Sequence, residues 1–286
     1  MSDLSTEVKN QDANDDPNVD GEFSDSSAPL IEHLVELRQR LVKALIAIAV
    51  FFVICFIFAD KIFNILVIPY QRGAGTDDVQ FVYTALQEKF FVDMKIAFFG
   101  AIFIAFPVIA TQIYKFVAPG LYKNERGAFL PFLVATPLLF IAGACLVFFL
   151  IMPLATQFFL SLEQTGGNGL AKIENLQAVG SYLSLIMTLI FAFGLVFQLP
   201  VVISLLARAG LTNSTWLKAQ RKYALLCIVV VGAVLTPPDP ISQIGLAVPS
   251  YLLYEISIFC ASLIEKSKAK RLAEEEGDEV DLDDEA

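Results

Sequence analysis

Two acidic side chains stand where insertion into a membrane does not require them. Glu36 lies in His33-Leu34-Val35-Glu36-Leu37-Arg38-Gln39-Arg40-Leu41, and Glu125 in Pro119-Gly120-Leu121-Tyr122-Lys123-Asn124-Glu125-Arg126. Each sits just outside a long apolar run, among Lys and Arg. Basic residues at such margins set orientation, whereas carboxylates contribute little to it. A carboxylate can accept two parallel hydrogen bonds from a guanidinium, so the pair points to recognition of something cationic, most simply an arginine-bearing peptide. Both also have a local explanation. A glutamate opening a helix and offset by Arg40 at i+4 contributes ~0.3–0.5 kcal/mol, and Lys123 and Arg126 can form exposed ion pairs with Glu125 of little energetic value.

Catalysis is not indicated. His33 is the only histidine, and the H-E-x-x-H, G-x-S-x-G and phosphate-loop patterns are all absent from the sequence. Cys55, Cys145, Cys227 and Cys260 are isolated within apolar runs, where a thiol acts as a small hydrophobe. The sequence therefore carries no disulfide framework and no metal cluster, and no cofactor is expected.

The elements that must position the two glutamates are membrane spans. Hydrophobic residues make up 56% of the 286 positions, mean hydropathy is +0.64, and the 25 Phe fall mostly in long runs. Six stretches suit the ~20 residues that cross a ~30 Å hydrocarbon layer: about 41–59, 92–116, 129–151, 179–206, 222–236 and 241–263. The fifth is short, with thirteen apolar or small residues from Tyr223 to Leu235, and requires a thinned bilayer or shielding neighbours. It forms a tight hairpin with the sixth through Thr236-Pro237-Pro238-Asp239-Pro240. Counting Lys and Arg, fifteen of twenty fall on the side holding both termini and the 117–128 and 207–221 loops, which places that side in the cytoplasm. Residues 60–91 and 152–178 are expected as loops that cap the other face at the interface.

The net charge of −10 comes largely from two tails, at 1–28 and 266–286, which read as solvated and disordered around a membrane domain at 29–265. Residues 1–28 lack a basic start followed by an apolar stretch, so no cleavable signal peptide is expected. Within the spans, Pro107 and Pro200 should kink their helices. Gln198 needs a hydrogen-bond partner, and an interhelical bond of about 0.6 kcal/mol satisfies it. Glu255 is an ionisable group within the sixth span, a functional hypothesis unless a neighbouring helix binds it. Asp239 can simply accept from amides of its Pro-rich turn.

Four motifs in order resemble the TatC family of twin-arginine protein export. They are His33-Leu34-Val35-Glu36-Leu37-Arg38 with Arg40-Leu41; Phe116-Val117-Ala118-Pro119-Gly120-Leu121-Tyr122-Lys123-Asn124-Glu125-Arg126; Phe193-Gly194 with Phe197-Gln198-Leu199-Pro200; and Leu235-Thr236-Pro237-Pro238-Asp239 with Ser242-Gln243. The resemblance covers about Leu30 to Glu265. It implies an all-α integral membrane protein of six transmembrane helices in a cupped array, with both termini cytoplasmic, in the bacterial cytoplasmic (inner) membrane. It further implies a receptor that binds the twin-arginine signal peptide of folded precursors and organises single-span TatA-like and TatB-like subunits in a multi-copy complex driven by the proton-motive force. No nucleotide or nucleic acid is involved.

By the same resemblance, Glu36 and Glu125 hold the peptide's arginines, with Arg38, Phe116, Pro119, Leu121, Tyr122, Lys123 and Arg126 around them. Gln198, Gln243 and Glu255 are the intramembrane polar positions, and Pro69 and Asp239 lie at the periplasmic face. Gln198 stands where well-known members have a glutamate, which leaves a hydrogen-bonding role and removes an ionised one. The alternative is a small-solute secondary transporter, which places polar groups near the midplane between inverted repeats. Here the similar Phe106-Pro107-Val108-Ile109 and Leu199-Pro200-Val201-Val202 segments pair spans two and four, which does not match that symmetry.

Overall fold

The computed structural model describes residues 19–121, 130–162, 177–235 and 240–284. Five stretches are helical, long and apolar enough to cross a membrane: Leu34–Ile57, Glu88–Phe116, Pro131–Ser161, Val179–Arg208 and Gln243–Lys270. They match the expected first, second, third, fourth and sixth spans. The fifth is also a helix, Arg221–Leu235, and its 15 residues make it as short as its apolar run.

The first span lies in α1 (Val19–Ile57), and α2 (Ala59–Ala74) follows directly. A two-residue strand, β1 (Phe81–Val82), leads into α3 (Glu88–Leu121). The third span is a composite of α4 (Leu130–Leu146), a π-helical turn (Val147–Ile151) and α5 (Met152–Ser161). Strand β2 (Gln177–Ala178) precedes α6 (Val179–Val196), and α7 (Leu199–Arg208) completes the fourth span. A short α8 (Ser214–Ala219), α9 (Arg221–Leu235) and α10 (Pro240–Asp284) close the chain.

Prolines act differently in the two spans where kinks are expected. The fourth span is interrupted at Phe197–Gln198, and Pro200, which has no N–H to give, opens α7. By contrast, α3 is unbroken through Pro107, whose carbonyl accepts the Thr111 hydroxyl at 2.7 Å.

The stretches expected as capping loops are corrected by the structure. Residues 59–74 form a helix that buries Leu66, Val67, Pro69 and Tyr70 against α5 and α3. Asp60, Lys61 and Arg72 dilute its hydropathy, so it does not stand out as an apolar run. Residues 152–161 extend the third span. Gly73 permits the α2–α5 crossing, since a Cβ there would lie 2.7 Å from the Pro153 carbonyl oxygen. The two strands pair in parallel, Phe81 opposite Gln177 and Val82 opposite Ala178. Phe81 packs on Tyr70 and Tyr182, with ring centroids 5.2 and 5.3 Å away.

Helix also reaches into both segments expected as tails, from Val19 and to Asp284. The Lys-, Ala- and Glu-rich sequence after Leu263 is made of strong helix formers and so continues α10.

The helices form an array with two edges. α1 packs chiefly on α3, and only 6% of its apolar window is buried. α3, α4 and α6 follow, and α7, α9 and α10 make the far edge. Two separate cores result. The larger gathers Ile96 and Phe99 of α3, Val147 and Ile151 of the π turn, and Val179, Leu183, Ile186 and Phe193 of α6. The smaller joins Ile203 and Ala207 of α7, Leu217 of α8, and Tyr254, Ile258 and Ala261 of α10.

Candidate functional site

Glu36 lies well inside α1 and does not open it as expected. Its Oε1 accepts Arg40 Nε at 3.0 Å and also Arg40 Nη2, so the local ion pair is formed. Both side chains remain partly exposed, and Leu34, Leu37 and Leu41 around them are exposed as well. Arg38 is exposed. The pair therefore sits on an apolar, solvent- or lipid-facing surface at the start of the first span.

The register of α1 against α3 fixes what lies beside Glu36. As consecutive spans, α1 and α3 cross the layer in opposite directions, and Cys55 Sγ lies 3.0 Å from where a Cβ on Gly100 would be. Glu36 is nineteen residues before Cys55, and the same step from Gly100 along α3 reaches Pro119, because both helices rise by ~1.5 Å per residue. Glu36 is thus level with the last turn of α3, which carries Pro119 and Leu121, one turn beyond the half-buried Phe116. Tyr122, Lys123, Glu125 and Arg126 follow directly in sequence and lie outside the described residues, as does Asp239.

Gln198 is buried where the fourth span breaks. Its Nε2 donates to the carbonyls of Thr136, at 3.1 Å, and Gly194, at 3.3 Å. Thr136 bonds Tyr114 on α3 through the two hydroxyls, 2.7 Å apart, so one polar chain crosses α3, α4 and the α6–α7 break. This is the interhelical bond that the sequence called for, with one addition: Gln198 Oε1 is buried without a partner among the described residues.

Glu255 is bound by a neighbouring helix. Arg221 Nη2, at the start of α9, donates to it at 2.7 Å, and the Tyr251 hydroxyl donates at 3.0 Å. Gln243 lies half-buried on α10, and Pro69 is buried inside α2. These positions are far apart in the fold: Glu36 belongs to the α1 edge, Gln198 to the middle and Glu255 to the α10 edge.

Two acidic residues with defined roles were not picked out from the sequence. Glu88 accepts the Thr84 hydroxyl at 2.9 Å and the Ala85 N–H at 3.3 Å at the start of α3, and the Gly180 N–H at 3.1 Å in the first turn of α6. Thr84 lies four residues before Glu88, one more than the capping-box spacing, so the sequence carries no standard capping signal for this bond. Glu265 accepts the Ser214 N–H at 2.6 Å, tying α10 to α8, and nothing in the local sequence marks it. No group of His, Cys, Asp and Glu among the described residues could hold a metal ion.

Comparison with known proteins adds the family. The family described as "Sec-independent protein translocase protein (TatC)" matches residues 32–249. A protein of that name from Magnetococcus marinus is 44% identical over 252 residues, covering 88% of this chain and 90% of the relative. Its counterpart from Escherichia coli K12 is 37% identical over 235 residues, covering 82% and 88%. A solved structure described as "Crystal Structure of Twin Arginine Translocase Receptor- TatC" superposes with a TM-score of 0.70 at 37% identity, covering 82% of this chain and 99% of that one. The similarity in sequence runs through the four ordered motifs and the similarity in structure through the helical array, and on both counts this multi-pass membrane protein belongs to the TatC family of Sec-independent protein translocases.

Proposed function

We propose that the chain is the receptor subunit of a twin-arginine translocation system, binding the paired arginines of a precursor's signal peptide with Glu36 and Glu125 at the cytoplasmic face. The observation that carries this reading is the placement of Glu36 level with the last turn of α3, directly before the sequence segment that holds Glu125. Arg38, Phe116, Pro119, Leu121, Tyr122, Lys123 and Arg126 surround the two carboxylates in this reading. The Lys and Arg distribution supports cytoplasmic termini in the bacterial inner membrane.

A guanidinium approaching Glu36 meets a carboxylate already shared with Arg40. Exchange costs little, because a partly exposed one-turn pair contributes only ~0.3–0.5 kcal/mol. The apolar stretch of the signal peptide then follows the helices into the bilayer, where Gln198 offers its free acceptor to a donor on the inserted segment or on a TatA-like or TatB-like single-span subunit.

The test is site-specific crosslinking of a twin-arginine precursor to the protein in inverted membrane vesicles. Glu125→Ala removes most of the adduct, Glu36→Ala removes part of it, and charge reversal at either position is partly rescued by altered precursor arginines. Normal crosslinking and export by both alanine variants would sink the assignment.

A further inference from the structure

An apolar groove of about 300 Å³ lies between α2, α3 and the end of α4 with its π turn. Ile65, Phe99, Ile104, Ile141, Cys145 and Phe149 line it, and Ile65, Ile104, Ile141 and Phe149 are exposed, so it opens sideways to the hydrocarbon. The groove is shallow along the membrane normal. From Ile141 to Phe149 is eight residues, ~12 Å at ~1.5 Å per residue, close to one leaflet of a ~30 Å layer. A spanning helix of another subunit would need contact over the whole depth.

The groove itself is apolar, and polar groups begin beyond Phe149, at the carboxyl end of α2. Arg72, in the last turn of α2, is exposed and stacks its guanidinium over the Phe149 ring, 5.1 Å from the centroid. Among the described residues it makes no ion pair. Beside it, Gln71, Arg72, Thr76 and Asp77 line a second space of about 450 Å³. One free guanidinium at the mouth of a leaflet-deep apolar slot matches one phosphate above one acyl chain. Asp77 disfavours a headgroup with further negative charge and suits one bearing an ammonium.

From this complementarity we infer that the groove is a binding site for one glycerophospholipid, with its phosphate on Arg72, an ethanolamine-type headgroup beside Asp77 and one acyl chain along Phe149, Cys145 and Ile141. The π-helical turn contributes by carrying Phe149, which serves both as platform for the guanidinium and as wall of the slot. The inference stands whether or not the chain is a signal-peptide receptor.

Native mass spectrometry of the full-length protein in detergent tests it, with palmitoyl-oleoyl-phosphatidylethanolamine and dioleoylglycerol as probes. One phosphatidylethanolamine should be retained per chain and the diacylglycerol should be lost. Arg72→Ala should weaken retention about tenfold, from loss of a charge-assisted bond, while Arg72→Lys keeps part of it. Cys145→Trp, which fills the slot from an exposed position, should also abolish retention; monodisperse elution and an unchanged helical spectrum establish folding. Equal retention of both probes overturns the inference, as does retention unaffected by Arg72→Ala and Cys145→Trp. So does a groove that binds no phosphatidylethanolamine while a cysteine at 145 crosslinks to a single-span subunit.

Discussion

Glu88 and Gly180, 92 residues apart in sequence, are joined directly: the Gly180 N–H donates to the Glu88 carboxylate at 3.1 Å. The same carboxylate accepts from Thr84 and Ala85, so one side chain satisfies amides at the starts of two helices that would otherwise lack partners. Glu88→Ala should lower the thermal midpoint of the detergent-solubilised protein, and Glu88→Gln should lower it less. Gly180→Ala should act in the same direction, because its Cβ would lie 2.7 Å from Glu88 Oε1. Midpoints unchanged in all three would show that the joint carries no stability.

The crossing of α4 and α6 depends on two glycines. A Cβ on Gly143 would sit 2.7 Å from the Phe193 carbonyl oxygen, and one on Gly194 would run into the Phe140 ring. Both neighbours are buried and cannot yield, so Gly143→Ala and Gly194→Ala should each cost about 1–3 kcal/mol in denaturant unfolding. Gln198→Leu, at the same crossing, removes only bonds to two carbonyls and should cost about 0.6 kcal/mol. A loss at Gln198 equal to those at the glycines would contradict this ranking.

Arg221 and Glu255 should behave as a pair. Each side chain is partly exposed, so a double-mutant cycle with alanine should give a coupling of about 0.5–1 kcal/mol, and Arg221→Glu with Glu255→Arg should recover part of the single-variant losses. Independent effects would mean that Glu255 serves something other than α9.

Arg40 competes for the carboxylate assigned to the signal peptide. Removing it should therefore help binding: Arg40→Ala should raise precursor crosslinking about twofold, the value of freeing a one-turn ion pair. Glu36→Ala should lower crosslinking. A decrease in both variants would assign the arginine, too, to peptide binding.

Hydropathy revealed the spans because burial in hydrocarbon demands ~20 apolar residues regardless of tertiary contacts. Pro200 marked the break in span four, since proline cannot donate within a helix. No apolar run marks α2, because only one of its faces packs on α3 and α5 while Asp60, Lys61 and Arg72 stay exposed on the other. The β1–β2 pairing, the Glu88–Gly180 bond and the Ser214–Glu265 bond join residues distant in sequence, and no local pattern encodes them. Glu255 carried the opposite lesson. Its partner is Arg221, already visible as one of the basic residues used for orientation, but only the packing of α9 on α10 brings them together.

The interruption at Phe197–Gln198 has a consequence for how the molecule comes apart. α6 belongs to the larger core and α7 to the smaller, and the two blocks meet through the break, through Ile228 of α9 and Leu246 of α10 packed on the larger core, and where α10 passes α5 and the π turn. Cooperative unfolding requires contacts that fail together, and these two groups have few in common. Tension on the carboxyl terminus should therefore release α7 to α10 as one step and leave the α1–α6 block standing until a second, larger one.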